Sequence, residues 1–193
     1  VFLAKTNFIH LATVGGIMRK AVGIQKPRVA IVGEKQAWVE AMVKASEATI
    51  PKLGLEVAGV WRPSQTATDV TAELSAIQRA DAHIIFTIFS ATVGVTFAKQ
   101  IGELKIPVAQ VGINVEAQKD AFMEATGGMG NYVMTLNTYT RGVEINKLTQ
   151  PFVNDYIKRF GETPAYNAGT HDAIEMLAES IKKVGSLDSD KVV

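Results

Sequence analysis

The chain has 193 residues, 47% of them apolar and 20% charged, with a formal net charge of +1. This is globular composition, long enough for one large domain or one lobe of a two-lobed protein. Lys and Arg are scattered, which argues against nucleic acid as a partner, because neutralising phosphates needs a concentrated positive face. Cysteine is absent, which excludes disulfides, thiolate nucleophiles and cysteine-ligated zinc without fixing the compartment. No apolar run in the sequence reaches the roughly 18–20 residues of a membrane span, so direct membrane insertion is not expected. The sequence opens Val1-Phe2-Leu3 with no Met, signal peptide or lipid-attachment cysteine, and reads as an internal piece of a longer chain.

In chain order, "TNFIHLATVGGIMRKAV" (6–22) carries Phe8, Ile9, Leu11, Val14, Ile17, Met18 and Val22 close to helical spacing. Lys26-Pro27 ends it. A repeating rhythm then begins. "RVAIVG" (28–33) is a β-branched run predicted as a buried strand. "AWVEAMVKASEATIPKLG" (37–54) is predicted helical and stops at Gly54, and "LEVAGVW" (55–61) as a strand. "TDVTAELSAIQRA" (68–80) reads as a helix with Thr68 as N-cap and Asp69 in the first turn. The strand "AHIIFTIF" (82–89), helix "TVGVTFAKQIGELK" (92–105), strand "PVAQVG" (107–112), helix "VEAQKDAFMEAT" (115–126) and strand "NYVMTL" (131–136) follow. Gly127-Gly128 supplies the stop of the last helix. Strands alternating with helices in this way mean right-handed crossovers: an α/β, doubly wound parallel sheet with helices on both faces. The rhythm changes near Leu136–Arg141, after which "GVEINKLTQPFVNDYIKRFG" and "NAGTHDAIEMLAESIKKVG" read as two helices with no strand between them.

Open parallel sheets bind ligands at the carboxyl ends of their strands, so those ends are where chemistry is sought. A nucleotide site is excluded: Gly33 is followed by Glu34, Lys35 and Gln36, not by the glycines of G-x-G-x-x-G, and no Walker loop is present. "GGMGN" (127–131) lies between helix and strand, at the wrong end of the sheet, and reads as a helix stop. No catalytic constellation is found. His10, His83 and His171 fall in different elements; His83 reads as a strand-edge residue. His171 and Asp172 are adjacent and do not share a helix face. H-E-x-x-H and G-x-S-x-G are both absent. No catalytic residue, metal site or cofactor is expected. What remains at the strand ends suits a small polar–apolar molecule: Gln36, Trp38, Ser90 with Thr92, Asn114 and Tyr139. Ser90 and Thr92 precede a helix, a position that favours an anionic group. Each has a plain structural alternative. Ser90 or Thr92 caps its helix, Trp38 covers the sheet edge, or Asn114 is a turn residue.

At these residues the sequence resembles the type I periplasmic solute-binding proteins of ABC transporters, in the branched-chain amino acid (Leu/Ile/Val-binding) group. The stretches that carry the likeness are "VAIVGEKQAWVEAMVKA", "SQTATDVTAELSAIQRADAHIIF", "AKQIGELKIPVAQVGIN" and "NAGTHDAIEMLAESIKKVGSLD", in that order and across nearly the whole chain. The resemblance implies two α/β lobes joined by crossovers, with the solute between them. On that plan residues 1–23 are a crossing segment from the first lobe and 24–136 the C-terminal ligand-binding lobe. Residues 137–193 are a hinge crossing plus helices belonging to the first lobe, most of which lies outside this sequence. Trp38 takes the place of the aromatic that stacks on the ligand, and Phe89 and Ser90 that of a strand-end contact. Asn114 stands where amino-acid binders usually place an acid against the ligand ammonium, and a neutral amide cannot supply that charge. Either Glu34 or another acid substitutes, or the solute is not a simple α-amino acid. The implied mechanism is hinge closure on a small-molecule solute, read by an ABC transporter permease, in the periplasm or another extracytoplasmic space. The alternatives are a ligand-binding sensor domain of the same fold on a receptor and, third, a doubly wound α/β enzyme.

Overall fold

The computed structural model describes residues 2–140 and 142–192. These divide into two compact units, one ending at Leu136 and the other beginning at Asn137. The division falls where the strand–helix rhythm of the sequence ends.

The first unit opens with α1 (Phe2–Ile17), which runs into a π-helical turn over Met18–Val22 and stops at Gly23, whose φ of 81° only glycine adopts readily. Then come β1 (Arg28–Gly33), α2 (Ala37–Thr49), β2 (Glu56–Trp61), α3 (Thr71–Arg79), β3 (Ile84–Phe89), α4 (Val93–Glu103), β4 (Ala109–Asn114), α5 (Phe122–Ala125) and β5 (Val133–Thr135). The five strands form one sheet in the order β2-β1-β3-β4-β5. All four pairings are parallel. The period-two alternation of the strands divides their side chains between two cores. Val29, Ile31, Ile84, Phe86 and Ile88 face α1 and α2, burying Leu11, Val14, Val39 and Val43. Ala30, Val32, Ile85 and Phe89 face α3 and α4, burying Leu74, Ile77, Val93, Phe97 and Ile101. Because β1 and β3 are buried on both faces, they read as apolar runs apart from Arg28 and Thr87. The first helix is thus part of the sheet's own packing: Phe8 stacks on Phe86 with ring centroids 5.6 Å apart.

Two predicted elements differ. The helix expected at 68–80 begins only at Thr71, and Thr68 does not cap it. Instead Asp69 accepts from the Thr71 amide at 2.9 Å and the Thr71 hydroxyl at 2.6 Å, and also from Gln100 of α4. These bonds hold the Asp69 carboxyl below its usual range, the Thr71 hydroxyl contributing most. The helix expected at 115–126 breaks into a 3-10 turn (Glu116–Gln118) and the single turn of α5. Lys119 is extended between them, and the Gln118 amide donates to the Leu136 carbonyl at the end of β5. A tertiary hydrogen bond there takes precedence over helix continuity.

The second unit holds α6 (Thr149–Phe160), ended by Gly161, then α7 (Gly169–Val184), ended by Gly185, and the short α8 (Ser189–Val192). Its small core is Tyr139, Val153 and Ala168, with Phe152 and Ile157 against them.

Candidate functional site

Strand order makes a crevice before any side chain is considered. β1 and β3 are neighbours, yet α2 leaves β1 across one face of the sheet and α4 leaves β3 across the other. The two chains diverge at the carboxyl ends of β1 and β3, and this reversal point is where open α/β sheets hold ligands.

The loops at that end are tied together. Gly33 lets α2 settle onto β1, since a Cβ there would lie 2.5 Å from a Val39 methyl. Glu34 follows, fully buried. Its Oε1 accepts from the Ser90 hydroxyl at 2.5 Å and its Oε2 from the Ala91 amide at 3.1 Å, so one carboxylate joins the end of β1 to the β3–α4 loop. From the end of β2, Arg62 donates Nε to the Gly33 carbonyl at 2.8 Å and Nη2 to the Glu34 carbonyl at 2.9 Å. Its third nitrogen pairs with Glu40 of α2 at 2.8 Å. The Arg62 hydrogen bond holds the Glu40 carboxyl below the usual carboxylate range. The Gln65 carbonyl accepts from the Val93 amide at the start of α4, and its side chain accepts from the Gln36 amide. The loops after β1, β2 and β3 therefore form one hydrogen-bonded rim.

The predicted site residues distribute unevenly on this frame. Gln36, partly exposed, stands at the N-cap of α2 and reaches Gln65 across the rim. Trp38, in the first turn of α2, is 44% exposed, which is high for the largest apolar side chain. Ser90 is exposed, with its hydroxyl turned to Glu34. Thr92 stands at the N-cap of α4, but its side chain makes no capping hydrogen bond.

Phe89 and Asn114 do not reach the rim. Phe89 is the last residue of β3 on the α4 side, fully buried with its ring 5.1 Å from that of Phe97. Asn114 pairs with it in register, is equally buried, and donates its amide to the Gly94 carbonyl in the first turn of α4 at 3.1 Å. A Cβ on Gly94 would fall 2.2 Å from Asn114 Oδ1, so glycine permits this contact. Strand parity is the reason for both: it turns these side chains under α4, although the resemblance implies solute contacts for them.

Tyr139 belongs to the second unit. Its ring packs 5.1 Å from Phe152 and its hydroxyl donates to Asp172 at 2.5 Å. Burial first, and the Asp172 carboxylate second, push the Tyr139 hydroxyl up to about 12. His171, expected not to meet its neighbour, has Nδ1 3.3 Å from Asp172 Oδ1 and its ring 4.5 Å from Phe152. A groove of about 1320 Å³ on this unit is lined in part by aromatic and apolar residues of α6 and α7, among them Phe152, Tyr156, Phe160 and Met176. Asp155, Arg159, His171, Asp172, Glu175 and Glu179 also line it, but it is a groove of the second unit, not of the strand ends at which open parallel sheets hold ligands.

Arg62 opens the strand-end turn Arg62-Pro63-Ser64, and neither it nor Gln65 is among the residues predicted to line the site. The signal that could have found them is the strand-end rule itself, since both sit just beyond β2, next to the end of β1 in the sheet. Among the described residues no three His, Asp or Glu side chains converge to hold a metal ion, and no helix is long and apolar enough to cross a membrane.

The first unit is a doubly wound parallel α/β lobe whose strand-end loops are hydrogen-bonded to one another at the switch point. The periplasmic binding protein family profile matches residues 1–193, and the chain belongs to that family. No curated protein matches the chain in sequence. Among solved structures it is similar to a leucine-binding protein from Thermotoga maritima, with a TM-score of 0.78 and 21% identity over 94% of this chain and 51% of the other. It is similar also to a solute-binding protein of an ABC transporter from R. palustris in complex with benzoate, with a TM-score of 0.75 and 19% identity over 94% and 49%. A third is a leucine-, isoleucine-, valine-, threonine- and alanine-binding protein from Brucella ovis in a closed conformation, with a TM-score of 0.72 and 16% identity over 90% and 45%. At these identities the likeness is one of fold, and the chain spans about half the length of each.

Proposed function

We propose that this chain supplies one half of the solute cleft of an extracytoplasmic solute-binding protein serving an ABC importer. The solute is an amino acid or a related small organic molecule. It lies against the rim formed by the loops after β1, β2 and β3, with Trp38 offering an aromatic surface and Gln36 and Ser90 polar contacts. Phe89 and Asn114 support the rim from beneath α4. Closure follows from differential binding: a solute that touches both lobes only when they are shut shifts the open–closed balance, and the permease then engages the closed form. No covalent bond changes.

The observation that carries this reading is a half-exposed tryptophan in the first turn of α2, two residues past Gln36, which belongs to a set of strand-end loops that the chain itself stitches together. The family match supports the class of protein. The relatives' solutes, leucine and benzoate, bracket the chemistry without choosing within it. A sensor domain of the same fold would use the same rim and deliver its closure to a receptor.

The test is a thermal-shift screen of the full-length protein against amino acids, aromatic acids and their amides. A solute-binding protein is stabilised by one chemical class, by RT ln(1 + [L]/Kd), and returns that solute unchanged. Turnover of the stabilising compound would overturn the reading.

A further inference from the structure

The amino end of a helix draws anions, and the loop leading into α4 sits at the proposed cleft. The structure shows that the first three amides of α4, and that of Ala91 before it, already have partners within the chain. The buried Glu34 carboxylate takes the Ala91 amide and the Ser90 hydroxyl proton, one on each oxygen. The Gln65 carbonyl takes the Val93 amide, and the next two amides, of Gly94 and Val95, turn back to Ala91 and Thr92. Ser90 itself is exposed. A hydroxyl has one proton to give and two lone pairs. With the proton committed inward, what Ser90 offers outward is acceptor capacity, with a carboxylate directly behind it.

We infer that Glu34 sets the hydrogen-bond polarity of the cleft at the end of β3, so that the solute group seated on Ser90 is a donor, an ammonium or a hydroxyl, and not a carboxylate. This rests on the solute-cleft reading above and deepens it. Glu34 is a positioning residue: it acts on the solute through Ser90. The negative charge that an ammonium calls for is supplied by Glu34, just beyond β1 and one hydroxyl away. A donor resting on a hydroxyl backed by a carboxylate makes a charge-assisted chain, in which each hydrogen bond polarises the next. A solute carboxylate at the same place would meet lone pairs and a buried like charge.

The experiment is calorimetric titration of the full-length protein with matched pairs that differ only in the donor. These are L-leucine against 4-methylpentanoate, L-phenylalanine against 3-phenylpropanoate, and 4-aminobenzoate against benzoate. In at least one pair the donor-bearing member binds about tenfold or more tightly, the worth of one charge-assisted hydrogen bond. Ser90→Ala brings that ratio close to one. Glu34→Gln also shrinks it, because a side-chain amide can orient its NH2 toward Ser90 and release the hydroxyl proton to the cleft. Loss of fold on replacing Glu34 would lower affinity for both members together and leave their ratio unmoved, so the ratio separates polarity from stability. Ser90→Ala alters an exposed side chain and keeps the test open should the Glu34 variant fail to fold. Equal binding of both members in every pair, tighter binding of a donor-free member, or a ratio unchanged in Ser90→Ala would overturn the assignment while leaving the solute reading intact. Failure of all six compounds to bind would overturn the solute class proposed above, and this assignment with it.

Discussion

Trp38 and Asn114 show how differently two residues at the end of one sheet are used. Trp38 keeps nearly half its surface in water at the start of α2, where burial against its own lobe would have been favourable. If it holds an aromatic face for the solute, Trp38→Ala weakens solute binding by about 1 kcal/mol or more. Calorimetry on the full-length protein checks this, and unchanged affinity would return the indole to the role of a sheet-edge cover. Asn114, by contrast, is an interior residue whose amide donates to Gly94. Asn114→Asp replaces that donor by an oxygen facing a carbonyl in a fully buried position. Its expected effect is on stability, a loss of about 1–3 kcal/mol, measured by urea denaturation, and not a gain of affinity for ammonium-bearing solutes.

The β–α units were legible because their signals are local and repeat. β-branched runs of six residues, a break, and an amphipathic helix name their own secondary structure. Where a distant partner intervened, the reading failed. Asp69 took over from Thr68 because it could reach both Thr71 and Gln100, and the 115–126 segment broke to let Gln118 reach Leu136. The second unit's helices are held by aromatic contacts and by the Tyr139–Asp172 hydrogen bond. That bond has a pH signature. The Tyr139 hydroxyl is raised from 10 to about 12 in the folded chain, so its stabilising effect is complete below pH 10 and is lost as pH rises from there through about 12. The difference in melting temperature between the parent and Tyr139→Phe should therefore be constant up to about pH 10 and shrink above it. A difference that stays constant through pH 12 would show that the hydroxyl is not held in this way.

Over the whole molecule, burial is unevenly shared. β3 is buried at every position and β1 at all but its first, whereas α7 has no buried residue and leaves Ile174, Met176 and Leu177 exposed. Local stability follows burial. In hydrogen exchange on the 193-residue chain, the amides of β1 and β3 should be the last to exchange, and those of α7 should exchange orders of magnitude sooner. Equal protection in the two regions would mean that α7's apolar face is covered in solution. That face is what an amphipathic helix presents to a partner surface, and the chain spans about half the length of the solved structures it matches.

By itself the sequence determined the architecture: a parallel α/β lobe followed by paired helices, with no nucleotide loop. Strand and helix periods, and the residues that interrupt them, are properties of neighbours in the chain. It also determined which loops lie at the carboxyl end, since that follows from strand direction alone. Only the tertiary structure decided which side chains in those loops face outward and what they are free to do. Phe89 and Asn114 turned inward by strand parity under α4, and Tyr139 found Asp172. Glu34, four residues before Trp38 in the chain, found its partners Ser90 and Ala91 more than fifty residues further on. The polarity of a hydroxyl depends on where its proton goes, and that is settled by a neighbour in space which no local pattern can name.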